Sequence, residues 1–581
     1  MKTIFILSTF VFLLFTSTAA LAEIRYVSKT GTATPPYTSW ATASDSIQKC
    51  INICNYGDTV IVANGVYREY LLIETEIALL GTSMDSTIID GTGLGYDYTI
   101  QSNADVVISG FTIIGKGFND SPYYVGVVTI SNNLNIYNCK ISNCNYAFWV
   151  GQSSGVMEGL IITNVYTGIT TACAFDTCKP IIKNSVILPR NDMSNRGITI
   201  SYDGQPVILN NIIIGGYGMI GIYNVSAKRL VIKNNLIAGG YVNIRASNAD
   251  SAFIINNIIR EQSSDFYSHA AIQDPNIRAY IRNNAITDNY KGIHASNAHS
   301  NFNIFWNNEV HANNGSIFGD NDLFVDPMFV KDTTAKSFAY DYHLQKYSPA
   351  IDAGDTSVFD IDGTRSDIGL FGGPGGSLYT YLNLPPKPPV NFHAVYDSNK
   401  IIINWDKFSE ADFSHYKIYS SLTNNFIPDS SSYYCKSDSS YFIDELPLIK
   451  DKIYYKITSV DSDGNESYPG EQIVITITST NEPLIEIVGE YKLYQNFPNP
   501  FNPVTIIPYR IKERAYVKIM VYDIKGELIE VLVNSVKEAG YYETEFNGQN
   551  LASGIYLYRI EVVNNRSIPV YMNMKKMILV K

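Results

Sequence analysis

A solenoid of parallel β-strands is the fold class that this 581-residue sequence predicts, and three observations predict it. The first is composition: charged residues are only 17%, whereas Tyr contributes 43 and Gly 40, a balance rich in strand and turn formers. The second is a recurring phrase. "LVIKNNLIAGG" (230–240) returns as "PVILNNIII" (206–214), "FIINNIIR" (253–260) and "YIRNNAIT" (280–287), and more loosely as "LNIYNCKIS" (134–142) and "PIIKNSVIL" (180–188). The third is its period. With Asn234 as reference, equivalent positions fall at Gly110, Asn138, Glu158, Asn184, Asn210, Asn256, Asn283 and Phe302, at a mean spacing of 24. Short β-branched runs at an irregular period of this size, with no helical half and no Leu scaffold, predict coils of three short strands that advance about 4.8 Å per coil.

The chain opens with Lys2, an apolar run from Ile4 to Phe15, and "TSTAALA", which together read as a secretory signal peptide over 1–22. That run is shorter than the ~20 residues of a membrane span, and no later stretch approaches this length, so an exported mature chain without a transmembrane segment is expected. Removing 1–22 takes away one Lys and no acid, moving the net charge from −12 to −13, which argues against a nucleic acid partner. Ile47, Cys50, Ile51 and Cys54 follow at helical spacing, with Gly57 as a stop. They predict a short helix covering the first coil.

Seven cysteines leave at least one thiol free. Cys139 with Cys144, or Cys173 with Cys178, could each close a short loop, and Cys50 and Cys54 are spaced i, i+4. Small buried apolar side chains are the simpler reading, with at most one or two bridges expected.

Within the repeat, Asn suits a corner that needs left-handed backbone, and stacked Asn amides can hydrogen-bond from coil to coil. A second series, Tyr146, Tyr166, Tyr217, Tyr241 and Tyr290, predicts stacked aromatics at another corner. Three coils lack this Tyr and carry longer segments instead, "GKGFNDSPYY" (115–124), "PRNDMSNRG" (189–197) and "REQSSDFYSH" (260–269). Insertions that leave one corner should wall the following strand and form a groove. On that strand Ile244 and Ile293 are expected to point inward, with Arg245 and His294 outward in one row with Thr129, Thr170, Thr199 and Gln273. Glu261, Asp265, His269, Arg190, Asp192 and Gln273 are the expected substrate-binding residues beside them.

The opening "IRYVSKTGTATPPYTSWATASDSIQKCINICNYGDTVIVANGVYRE", the Asn repeats and "DYHLQKYSPAIDAGDTSVFDIDGTRSDIGLFGG" (341–373) resemble secreted right-handed parallel β-helix proteins of the pectate-lyase-like kind. The resemblance implies one β-helix over 23–376. That fold includes polysaccharide lyases, hydrolases, and proteins with no known activity. Elimination on a uronic-acid glycan needs a base and a cation on the neighbouring carboxylate. Arg245 or His294 is the candidate base and Arg260 the candidate clamp, against the simpler reading of Arg245 and His294 as solvated strand residues. Neither a Gly-His-Gly nor an Asp-Asp pair of the polygalacturonase kind is present. "DIDG" (360–363) lacks the twelve-residue EF-hand loop. Asx turns explain it, and a structural calcium held by Asp360 and Asp362 is the alternative.

The Gly/Pro-rich stretch at 377–389 reads as a linker. Residues 390–480, with Trp405 and the paired Tyr454 and Tyr455, resemble a fibronectin type III sandwich. Across 490–581, "YKLYQNFPNPFNPVTIIPYRI", "VKIMVYDIKGELI", "NLASGIYLYRI" and "KKMILVK" resemble the C-terminal sorting domain of type IX secretion cargo, with Phe546 where that family usually has Trp. The resemblance implies the type IX machinery as partner and a secreted or outer-membrane surface-attached protein. Two functional classes follow: a surface protein that binds or adheres to polysaccharide in its groove, and a polysaccharide lyase.

Overall fold

The computed structural model describes residues 22–118, 124–130, 133–173, 178–190, 195–216, 218–247, 249–260, 270–313, 318–331, 341–397, 400–445, 452–477, 483–487, 491–496, 499–512, 515–537, 540–563 and 569–580. The expected signal peptide lies almost wholly outside them. The chain divides into two compact units, one of residues 1–301 with 308–321 and one of 302–307 with 322–581.

The first unit is a right-handed β-solenoid. Each short strand pairs in parallel with its equivalent one coil before and one coil after: Val207–Leu209 lies between Ile181–Lys183 and Arg229–Lys233. Inward side chains stack in aliphatic files, such as Ile182, Ile208, Ile232, Ile254 and Ile281, of which none is exposed. The predicted helix forms at Ile47–Ile51, where Ser46 caps it by accepting a hydrogen bond from the Lys49 N–H, and Ile47, Cys50 and Ile51 are buried.

The Asn-Asn pair divides its work. The first Asn is the corner, with φ between 50° and 55° at Asn138, Asn184, Asn210, Asn234, Asn256 and Asn283. Gly110 and Phe302 also take positive φ, as expected of that file. In the one coil where Glu158 was expected, the corner is Gly159 instead (φ 66°), because Glu158 pairs with Tyr137, one residue before the corner. The second Asn builds a buried ladder. Asn235 Oδ1 accepts from the backbone N–H of Asn211 at 2.9 Å and from its amide at 3.0 Å, and Asn257 Oδ1 and Asn284 Oδ1 repeat this one and two coils on. The amide N–H groups of the same residues cap carbonyls of the coil before, as Asn235 does for Ile208 at 3.0 Å.

The tyrosine file departs from expectation. Tyr146 pairs with Thr167, which puts Tyr166 one position out of register with it, and Tyr217 lies outside the described residues. Tyr166 instead meets Phe118 edge-on at 5.0 Å. Ring stacking does occur on another face, where Phe253 stacks on Tyr280 at 5.3 Å and Tyr280 on His299 at 6.3 Å.

From residue 322 onward the described strands of the second unit form antiparallel sheets. Strands His393–Asp397, Lys400–Asn404 and Tyr441–Asp444 form one sheet, and a five-stranded sheet centred on Phe413–Ser421 and Lys452–Asp461 forms the other. Trp405, Tyr416 and Tyr455 are in the core between them. The Tyr455 hydroxyl donates to the Asp444 carboxylate at 2.6 Å rather than to backbone, a departure from the usual tyrosine corner. Residues 492–579 form a three-stranded and a four-stranded sheet around a core that includes Phe501, Tyr558 and Phe546. Phe546, in the place of the usual Trp, is buried edge-on against Phe501.

Candidate functional site

Register fixes the outward row. Successive partners are Val128, Trp149, Thr170, Thr199, Tyr223, Arg245, Gln273 and His294, each on the next coil. One position earlier runs the fully buried file Val127, Phe148, Ile169, Ile198, Ile222, Ile244, Ile272 and Ile293. Ile244 and Ile293 therefore point inward as expected, and Thr170, Thr199, Arg245, Gln273 and His294 share the outward row. Thr129 does not. It pairs with Val150 in the file one residue on and is 1% exposed, and Val128 takes the outward place. Its coil replaces the corner Tyr with a longer segment, so counting from the tyrosines slips there by one.

Trp149 and Tyr223 belong to this row and were missed by the same count. A better signal is the triplet of small residue, apolar residue and outward residue: "AFW" (147–149), "GIT" (168–170 and 197–199), "GIY" (221–223), "NIR" (243–245), "AIQ" (271–273) and "GIH" (292–294). Its first residue is Gly or Ala in every coil but that of Asn243, because the backbones close in. A Cβ on Gly197 would lie 2.4 Å from the Gly221 carbonyl oxygen.

The row combines cations, aromatic faces and, at Thr170, Thr199 and Arg245, polar atoms without partners among the described residues. The Arg196 guanidinium lies 4.3 Å from the Tyr223 ring centre and that of Arg245 5.6 Å from it, the geometry of cation–π contact. Arg190 sits 4.3 Å from the Phe118 ring and 5.4 Å from Tyr166, so the flanks of two of the long segments meet at one corner, as expected of a groove wall. Among the described residues neither Arg196 nor Arg245 has a carboxylate within salt-bridge distance. The hydroxyls of Thr170 and Thr199 and the Nε–H of Arg245 are buried with no hydrogen-bond partner among the described residues, although Thr170 and Thr199 are 6% and 5% exposed. Buried polar atoms in native proteins are nearly always paired, so three within four successive coils are notable in this row.

The remaining candidates scatter. Arg245 and His294 are two coils apart, roughly 10 Å by strand spacing. Arg260 is not with them. It ends strand Ile258–Arg260 between Ala238 and Thr287, is 1% exposed, and its Nη2 is held by Asp288 at 3.0 Å. A guanidinium buried in its own ion pair cannot clamp a ligand carboxylate in the groove, and the expected role for Arg260 is corrected accordingly. Glu261, Asp265, His269 and Asp192 lie outside the described residues.

At the closing segment, Asp360 accepts the N–H groups of Asp367, at 2.9 Å, and Gly373. Asp362 accepts the N–H and hydroxyl of Thr364 at 2.9 and 2.8 Å. Asp367 accepts the Asp352 N–H and the Tyr381 hydroxyl, both at 2.9 Å, and burial pushes its carboxyl up to about 6. Only the Asp362–Thr364 bond, two residues on, is of the Asx type, whereas Asp360 and Asp367 tie together more distant parts of the closing segment. Among the described residues no group of three or more His, Cys, Asp or Glu gathers as a metal site.

Comparison with known proteins agrees with the architecture. A right-handed β-helix region matches residues 123–239, and a secretion system C-terminal sorting domain matches 495–572. Among curated proteins none matches the chain. Solved structures similar to it include pectate lyase Pel9A, at 14% identity over 60% of this chain and 96% of the other with a TM-score of 0.40. Pectin methylesterase PemA from Erwinia chrysanthemi gives 14% over 39% and 80% with a TM-score of 0.23, and the central fibronectin-III array of RIM-binding protein 12% over 34% and 70% with a TM-score of 0.21. The sorting domain marks a chain that is secreted or attached at the cell surface by type IX secretion. Among the described residues no helix is long and apolar enough to cross a membrane.

Proposed function

We propose that the solenoid binds polysaccharide, most favourably an acidic one, along the outward row from Trp149 to His294. The observation that carries this reading is the pair of guanidiniums, Arg196 and Arg245, gathered at the Tyr223 ring with no carboxylate among the described residues within salt-bridge distance. A chain of sugars supplies what that row lacks: hydroxyls for the threonines, a carboxylate for the guanidinium and C–H faces for the rings. A ligand spanning several coils also suits a site that repeats every ~4.8 Å.

Binding without cleavage is the reading favoured over elimination. Arg245 and His294 keep positions where a base could act, but with Arg260 enclosed by Asp288 the cation that elimination requires has to come from Arg190 or Arg196. Titration calorimetry of the full chain against uronic-acid and neutral polysaccharides tests the proposal. Acidic chains should bind, and Arg245→Ala should weaken them at least about tenfold. Equal affinity of Arg245→Ala and the parent for every glycan rejects the site. Ultraviolet absorbance of an unsaturated product in the same mixtures would convert the binding reading into the lyase one.

A further inference from the structure

The outward row does not stop at Trp149. Register carries it back through Val128 and Gln101 to Leu72. There it ends, because Gln48 of the capping helix Ile47–Ile51 accepts from the Leu72 N–H at 2.8 Å and donates to the Leu72 carbonyl oxygen at 3.0 Å. The open face therefore begins at the coil of Gln101, six coils and roughly 29 Å before Arg245.

The two ends of this face differ in chemistry. A second row, two residues before the buried file, runs Tyr98, Val125, Tyr146, Thr167 and Arg196. From Gln101 to Trp149 neither row holds a charged side chain, and the first cation in either is Arg196. Exposed acids flank the first coils of the face: Glu74 directly follows strand Leu71–Ile73, and Asp97 directly precedes strand Tyr98–Ser102. Two cations close to them in sequence are engaged, Arg68 with Asp90 at 3.1 Å and Lys116 over the buried Tyr124 ring at 5.5 Å.

Aromatic rings stand here where the other end has guanidiniums. Tyr70 and Tyr96 stack at 4.3 Å, 15° from parallel, and the Tyr70 hydroxyl donates to Gln101 Oε1 at 2.8 Å, which fixes the pair beside the row. Gln101 in turn donates to Asn103 at 3.2 Å. Tyr70 covers one face of the Tyr96 ring, yet Tyr96 is 54% exposed. Two coils on from Gln101, Tyr146 and Trp149 meet edge to face at 5.4 Å. Rings held by neighbours and bordered by amides suit the C–H faces and hydroxyls of uncharged sugars, whereas a carboxylate placed there meets the charges of Glu74 and Asp97.

We propose that this face is divided: neutral sugars of the bound chain lie on the coils of Gln101 to Trp149 and acidic sugars on those of Arg196 to His294, so that the ligand is a heteropolysaccharide carrying both. The division rests on the polysaccharide reading of the outward row. One chain that reaches both ends binds more tightly than a chain that fills either, since the second contact forms at the effective concentration set by the first.

Titration calorimetry of the full chain with polygalacturonate, a linear galactan and a galactan-branched pectin tests the division. The parent should bind the pectin at least about tenfold more tightly than either homopolymer. Tyr96→Ala, at an exposed position where the melting temperature should match the parent, should weaken galactan about tenfold and polygalacturonate less than about twofold, and Arg245→Ala should reverse that order. Added salt should release polygalacturonate but not galactan. A parent that does not bind galactan, pectin held no more tightly than polygalacturonate, or a Tyr96→Ala that weakens both homopolymers alike or neither overturns the division while the acidic site stands. Parent affinity of Arg245→Ala for polygalacturonate overturns the acidic site itself, and the division with it.

Discussion

Two files of the same solenoid, a few residues apart along each coil, follow opposite rules. In the Asn file the residue hardly changes, and the amides of Asn211, Asn235, Asn257 and Asn284 hold one another in a buried chain. In the outward row the residue changes at almost every coil, and Thr170, Thr199 and Arg245 keep polar atoms with no partner among the described residues. A corner is needed in every coil, so its residue repeats and its bonds close. A binding surface is needed once, so the coils differ there and their bonds stay open for something outside the chain.

The largest effect expected from this contrast is in the ladder. Asn235→Ala removes one acceptor and one amide from a buried site, stranding the Asn211 N–H and the Ile208 carbonyl. Each stranded group costs about 1–3 kcal/mol, so the loss should be about 3 kcal/mol or more in chemical denaturation of the solenoid transition. A loss under about 1 kcal/mol would mean that the ladder is decoration. Its neighbour Asn234 should matter less. With φ at 53°, Asn234→Ala leaves in left-handed backbone a residue without the local polar bonding by which Asn tolerates it, for up to about 1–2 kcal/mol, and Asn234→Gly should cost less than Ala. If Gly proves worse than Ala, side-chain bonding and not backbone conformation dictates the corner.

The same contrast explains what could be read in the sequence. The Asn file was legible because repetition is visible in one chain: eight of nine corner positions hold, and the ninth misses by one residue, Gly159 for Glu158. The outward row was legible at Thr170, Thr199, Arg245, Gln273 and His294. It failed at Thr129, Trp149 and Tyr223, where inserted or deleted residues shift the count. Arg260 failed for a different reason. Its charge suggested exposure, but Asp288, contributed by the next coil, neutralises it inside, and a partner across coils is invisible to spacing along one chain. The sandwich domains were legible from Pro, aromatic and turn placement, while the tyrosine-corner partner was not, since Asp444 replaces backbone.

The smallest expected change in stability is the most informative, because it comes from a residue nearly as buried as the ladder amides. Thr170 is 6% exposed, and its hydroxyl has been taken out of water with no partner among the described residues, which opposes folding. Thr170→Val keeps the β-branched shape that the strand favours and replaces that hydroxyl by a methyl group, so stability should stay within about 0.5 kcal/mol of the parent or rise. Binding of an acidic polysaccharide should nevertheless fall several-fold, since a sugar that settles on this coil and displaces the cover of the hydroxyl no longer finds it there. Loss of binding at unchanged stability separates a site from a scaffold position. Loss of stability comparable to Asn235→Ala would instead place Thr170 with the ladder, and the outward row would have to be sought on another face of the coils.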